Sequence, residues 1–311
     1  MNEIVLKASG LTKKFGSFTA VSSLNLEVFR GEVFGFLGPN GAGKTTSILM
    51  MCGLLKPDAG EVFVNGEKMD SHSRMQRLVG ICPQQIVLWN SLTCLEQLVF
   101  VGEMYDIPVK TARTRANQLL EDIALSDKRN CQAKTLSGGM QRRLNLIMAL
   151  VHDPDILVLD EPEAGLDPQS RVLVRDFVRS LARIKTVILT THNMDEADRM
   201  VDRVAIIDHG QLLTVDTPFS LKEKLGAGDV LEFSIVETCN IPEVQEYLKN
   251  QFAEVSVSGN MFTLRGHGLV DLLPKILATL ESLGCKAVDI RLRQNTLEDV
   301  FLALTGRRLR E

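Results

Sequence analysis

The sequence predicts an α/β domain built on a buried parallel sheet, followed by a small α+β domain. Three observations carry this prediction. Strands are read at Val33-Phe34-Gly35-Phe36-Leu37, at Ile156-Leu157-Val158-Leu159, which has the pattern of a buried parallel strand, and at Thr186-Val187-Ile188-Leu189-Thr190-Thr191. The second of these ends in Asp160-Glu161, charge at the end of a strand where ligands gather in such sheets. From residue 229 onward the pattern changes to strict alternation of apolar and polar residues, the mark of half-buried strands.

Taken in chain order, the strand Val33–Leu37 runs directly into Gly38-Pro39-Asn40-Gly41-Ala42-Gly43-Lys44-Thr45, which fits the spacing G-x-x-x-x-G-K-T at every fixed position. Glycines there let successive backbone N–H groups turn inward around an anion. The helix that follows, with Ile48, Leu49 and Cys52 at apolar positions, adds the positive end of its dipole. The loop and Thr46 are therefore candidate nucleotide-binding residues. Lys44 brings a point charge to the β and γ phosphates of a nucleoside triphosphate, and the Thr45 hydroxyl is a candidate ligand of Mg2+.

Further along, Gln84 follows Gly80-Ile81-Cys82-Pro83, Leu136-Ser137-Gly138-Gly139-Met140-Gln141 precedes the Asp160-Glu161 strand, and His192 closes the strand ending in Thr191. In this order and spacing the segments resemble the ATP-binding cassette (ABC) ATPases over residues 1–225. The resemblance implies a phosphate-loop NTPase with a RecA-like core, an antiparallel β subdomain and a helical subdomain at residues 85–153. It implies that Asp160 holds Mg2+, that Gln84 reaches the metal or the attacking water, that Glu161 is the general base for that water, and that His192 contacts the γ-phosphate. Phe15, in Lys14-Phe15-Gly16, matches an aromatic that stacks on adenine, although an aromatic near a strand end can equally belong to a core.

From Met140 onward Leu144, Ile147, Met148 and Val151 recur at helical spacing, with Arg142, Arg143 and Asn145 between them. A helix beginning at Ser137, Gly138 and Gly139 offers free N–H groups and a hydroxyl, a second anion site. In the family this half-site faces the nucleotide of a second ATPase copy, so two chains arranged head to tail would enclose two ATP molecules. Asp167, in Gly165-Leu166-Asp167-Pro168, resembles the residue that communicates across that interface. Two positions depart from the family pattern. Met140 stands where glutamine is most familiar, and Glu163 where Thr or Ser is usual. The Glu163 carboxylate either faces Glu161 and perturbs it, or turns to solvent or a neighbouring Arg.

Composition accords with a globular protein of two domains: 311 residues, 45% hydrophobic and 24% charged. A net charge of −4 argues against a broad nucleic-acid footprint, and no nucleic-acid partner is expected. Cys52, Cys82, Cys94, Cys131, Cys239 and Cys285 show no metal-ligand spacing and read as reduced thiols of a cytosolic compartment. No signal peptide and no apolar run of about eighteen residues is present, so membrane attachment is expected to be peripheral, at the cytoplasmic face, through separate transmembrane subunits. The loop Ile86-Val87-Leu88-Trp89 is the candidate docking patch for such a subunit, with Trp89 the best single residue, unless these side chains fold back under the helical insert.

After residue 228 the alternating Leu231, Phe233 and Ile235 predict a strand, 242–252 a helix, Val255 and Val257 with Phe262 and Leu264 a hairpin around Gly259-Asn260, 272–283 a helix with Pro274 in its first turn, and Val288, Ile290 and Leu292 a last strand. The order β-α-β-β-α-β is the split, ferredoxin-like arrangement for residues 229–311. Thr296 with Asp299 caps a terminal helix that Gly306 stops. Thr296-Leu297-Glu298-Asp299-Val300-Phe301 resembles the tail of the ABC-2 type export ATPases, which implies export and ABC-2 type permease partners. Arg307, Arg308 and Arg310 are either a solvated basic end or near lipid headgroups. The small domain either supports dimerisation and closure or binds a small ligand. An alternative for the whole chain is a soluble cassette ATPase acting on DNA or ribosomes, but no coiled-coil insertion, tandem cassette or basic face points to it.

Overall fold

The computed structural model describes residues 3–69, 77–225, 228–236, 240–252 and 254–306. In chain order the elements are β1 (Ile4–Phe15), β2 (Phe18–Phe29), β3 (Val33–Leu37), α1 (Lys44–Met51), β4 (Ala59–Val64), β5 (Glu67–Lys68), β6 (Val79–Cys82), α2 (Cys94–Met104), α3 (Val109–Asp122), α4 (Gly138–Met148), β7 (Ile156–Asp160), α5 (Pro168–Leu181), β8 (Thr186–Thr191), α6 (Met194–Met200), β9 (Arg203–Asp208), β10 (Gln211–Asp216), α7 (Pro218–Lys224), β11 (Asp229–Ile235), α8 (Ile241–Gln251), β12 (Glu254–Ser258), β13 (Met261–Gly266), α9 (Leu269–Ser282), β14 (Ala287–Gln294) and α10 (Leu297–Thr305). Two compact units part between Pro218 and Phe219.

In the first unit a six-stranded sheet has the order β10-β9-β3-β8-β7-β6, parallel except for β10. Every residue of β3, β7 and β8 is buried, which accords with the apolar runs of β3, of β7 as far as Leu159, and of Val187 to Leu189 in β8. Their register decides where chemistry can gather. Leu37 pairs with Thr191 and Asp160 with Thr190, so β3, β7 and β8 end on one rim and deliver Gly38, Glu161 and His192 side by side. A second, antiparallel sheet, β2-β1-β4-β5, packs with α1 into the same core through Leu6, Leu11, Leu24 and Phe34. Helices α2, α3 and α4 form the helical part. A capping box joins Thr93 and Glu96 at the start of α2.

The second unit is an antiparallel sheet in the order β12-β13-β11-β14 with α8 and α9 in the connections. Leu231, Phe233 and Ile235 face a core completed by Val244, Leu248, Ile276 and Leu280. Helix α9 begins at Leu269, ahead of the expected 272, so Pro274 lies beyond its first turn. The missing proline N–H costs only the bond to the Val270 carbonyl, near the helix start. Ile290 and Leu292 on the edge strand β14 are both 40% exposed, against the half-buried pattern their alternation predicts, and the pairing of β14 with β11 slips by one residue between Val288 and Arg291. The expected capping of α10 is present: the Thr296 hydroxyl accepts from the Asp299 N–H, and Gly306 ends the helix at φ 71°. Cys239 and the basic end at 307–311 lie outside the described residues.

Candidate functional site

The phosphate loop is shaped by close approach. A Cβ at Gly38 would stand 2.2 Å from the Ile207 carbonyl oxygen, and one at Gly43, where φ is 98°, would stand 2.4 Å from that of Ala20. Only glycine fits either position. Lys44 is buried, and its Nζ donates to the carbonyls of Gly38 at 2.7 Å and Pro39 at 3.0 Å. Burial lowers its pKa, while Glu161 and Asp160 act in the opposite sense. The Thr45 hydroxyl lies 3.2 Å from Asp160 Oδ2, and Thr190 donates its hydroxyl to Asp160 Oδ1.

Glu161 sits beside this pair with φ 49°, a left-handed conformation uncommon for a non-glycine residue. Its N–H donates to the Thr190 hydroxyl at 3.0 Å, and its two carboxylate oxygens are separately engaged. His192 Nδ1 lies 2.7 Å from Oε1, and since a carboxylate accepts, that nitrogen carries the hydrogen. Gln84 Nε2 donates to Oε2 at 3.4 Å. Gln84, Glu161 and His192, far apart in sequence, thus meet at one carboxylate. Together with residues 40–46 and Asp160, Gln84 and Glu161 line a cavity of about 370 Å3. Phe15, 53% exposed, borders it and so is no core residue. Phe18, 62% exposed, lines the same cavity and gave no motif signal.

The second set of expected residues lies elsewhere. Ser137 caps α4, accepting from the Met140 N–H at 3.3 Å, and Asp167 caps α5, accepting from the Ser170 N–H at 3.0 Å. A Cβ at Gly139 would come within 2.7 Å of Ser170 Oγ and 3.3 Å of Asp167 Oδ1, so the two caps abut each other. Ser137, Gly138, Gly139 and Asp167 do not line the phosphate-loop cavity of their own chain. Glu163 turns away from Glu161 and pairs bidentately with Arg175, at 3.2 and 3.0 Å, almost wholly buried.

Arg142, Arg143 and Asn145, which stand between the apolar positions of α4, are all buried, while Gly138 at its start is exposed. Charged residues in an amphipathic pattern read as a solvent face, so periodicity carried no hint of this. Asn145 instead accepts from the Val87 N–H at 3.1 Å and Arg143 donates to the Ile123 carbonyl at 2.8 Å. Ile86, Val87 and Trp89 are exposed, and Trp89 meets Phe100 edge to face with ring centres 5.2 Å apart. No helix among the described residues is long and apolar enough to cross a membrane, and no group of three or more His, Cys, Asp or Glu residues among them is placed to hold a metal.

Comparison with known proteins agrees with this geometry. Residues 21–164 match the family described as ABC transporter. The chain is 38% identical to the Nod factor export ATP-binding protein I of Ralstonia nicotianae over 99% of its own length and 95% of that protein's. It is 36% identical to the daunorubicin resistance ATP-binding protein DrrA3 of Streptomyces coeruleorubidus, over 100% and 99% of the two chains. Among solved structures, a dimeric ATP-binding cassette in a post-hydrolysis state bound to ADP and Pi matches with a TM-score of 0.62 and 27% identity, over 68% of this chain and 98% of that one.

Proposed function

The chain belongs to the ATP-binding cassette family of transporter ATPases, and from that premise we propose that it drives export through separate transmembrane subunits of the ABC-2 type. The observation that carries the reading is the convergence of Gln84, Glu161 and His192 beside the phosphate loop. Export is supported by the relatives named above, one an export protein and one a resistance protein, each aligned along nearly the whole chain.

In this reading the residues divide the work. The N–H groups of residues 40–46 cradle the phosphates of ATP, and Lys44, already desolvated, leaves the Gly38 and Pro39 carbonyls for the β and γ oxygens. Phe15 stacks on the adenine. Thr45 and Asp160 present a hydroxyl and a carboxylate to one point, and Gln84 approaches it, a hard oxygen set suited to Mg2+ that leaves room for phosphates and water. When bound, the ion neutralises charge on the transferring phosphoryl group. Glu161 takes the proton of the attacking water, and His192, held by Glu161 through Nδ1, turns its other nitrogen to the γ-phosphate.

Ser137, Gly138 and Gly139 serve the nucleotide of a second copy, with Asp167 behind them, a reading supported by their absence from the lining of their own chain's cavity and by the dimeric neighbour. The exposed Ile86, Val87 and Trp89 receive the transmembrane subunit, which places the protein peripherally at the cytoplasmic face of the membrane. The deciding measurement is turnover of Glu161→Gln. ATP binding should persist while hydrolysis slows by about 10²-fold. Near-parental hydrolysis removes Glu161 from the role.

A further inference from the structure

The Arg142 guanidinium is buried, yet no carboxylate among the described residues bonds to it; all five of its N–H groups go to main-chain carbonyls. Nε donates to Pro162 at 3.3 Å, Nη1 to Pro83 at 3.1 Å and to Gln84, and Nη2 to Asp160 at 2.9 Å and to Glu161. These carbonyls belong to only two segments, the one that carries Gln84 and the one that carries Asp160 and Glu161. A third element, α4, holds the guanidinium and is capped by Ser137.

We infer that Arg142 is a positioning residue that clamps the Gln84 segment and the Glu161 segment to the signature helix as one rigid piece. The left-handed conformation of Glu161 needs such a clamp, because strain of this kind persists only where the surroundings over-determine it. Thr190 holds the Glu161 N–H and Arg142 holds its carbonyl, which fixes the direction of the carboxylate between them. A planar fork with five donors meets all five carbonyls of the two segments at once; an ammonium with three donors on one atom leaves at least two of them unmet. Asn145, one helical turn along, adds a second tie by accepting from the Val87 N–H. A displacement of the 84–89 loop is thereby passed to the Glu161 main chain and to the cap at Ser137 through one side chain.

The inference rests on the hydrolytic reading given above, and the experiment separates the two. Arg142→Gln and Arg142→Lys are made in the full chain, alone and combined with Glu161→Gln. Steady-state and single-turnover hydrolysis of Mg-ATP and binding of a fluorescent ATP analogue are measured beside thermal melting. In folded Arg142→Gln, kcat should fall by about 10²-fold, the cost of a misplaced group, with KM and nucleotide affinity little changed. Arg142→Lys should recover only a minor part. In the Glu161→Gln background the Arg142 change should cost less than about 2-fold more, since the two act as one unit. Unchanged kcat in Arg142→Gln, full recovery by lysine, or losses that simply multiply would each overturn the inference. If Arg142→Gln does not fold, Arg142→Lys is read by the same cycle. Fast turnover in Glu161→Gln alone would instead sink the hydrolytic reading.

Discussion

Glu163 shows how a single side chain changes meaning once its neighbour is known. In sequence it stands two positions from Glu161, where repulsion between carboxylates would perturb the base. In the fold it is a buried partner of Arg175 on α5, raising the pKa of that guanidinium. Glu163→Thr should therefore leave the pH profile of hydrolysis overlaying the parent while lowering stability by about 3 kcal/mol, as removal of one member of a buried pair does. Denaturant melts and a pH-rate series check both halves. For Lys44, the same desolvation that lowers its pKa readies it for phosphate, so Lys44→Ala should weaken ATP binding by at least about 10-fold in a titration with a fluorescent analogue. The motif residues of the loop were legible because their spacing is local. Arg142, Asn145 and Thr190 were not, because their partners come from other segments.

Elements carry the next set of consequences. Helix α10 was readable from Thr296, Asp299 and Gly306 because caps are local hydrogen bonds between residues three apart. Its ion pairs were not. Burial alone would raise the Asp299 carboxyl, but Arg293 and the N–H and hydroxyl of Thr296 outweigh it and hold the group well below the usual carboxylate range. A depressed folded pKa contributes stability above the unfolded value, near 3.9, and loses it as pH falls toward the folded one. The parent should accordingly lose stability between about pH 5 and pH 2 more steeply than Asp299→Asn, a difference that thermal melts across that range would record. The exposure of β14 escaped prediction for another reason. Strict alternation assumes an unbroken register, whereas the pairing of β14 with β11 slips by one residue between Val288 and Arg291.

At the scale of the molecule, the site in one chain is half of the proposed site. Lys44, Asp160 and Glu161 line the cavity, while Ser137 to Gly139 and Asp167 stand outside it as a second cluster. Specific ATPase activity should then fall as the protein is diluted, and activity independent of concentration would reject the shared site. Trp89→Ala should leave nucleotide binding intact and weaken recovery of the transmembrane subunits by co-purification, because the indole is the largest side chain of its loop and is exposed.

The amino-acid order alone determined the phosphate loop, the strand that ends in two carboxylates, the signature glycines and the alternation of the second unit. Each depends on neighbours within a few residues, or on a spacing that chemistry makes rare. Tertiary structure alone decided that β3, β7 and β8 end in register, that Gln84 and His192 close on one carboxylate, and that a buried arginine ties their segments together. Those outcomes are contacts between segments far apart in the chain, and no local propensity encodes which distant carbonyl a donor will meet.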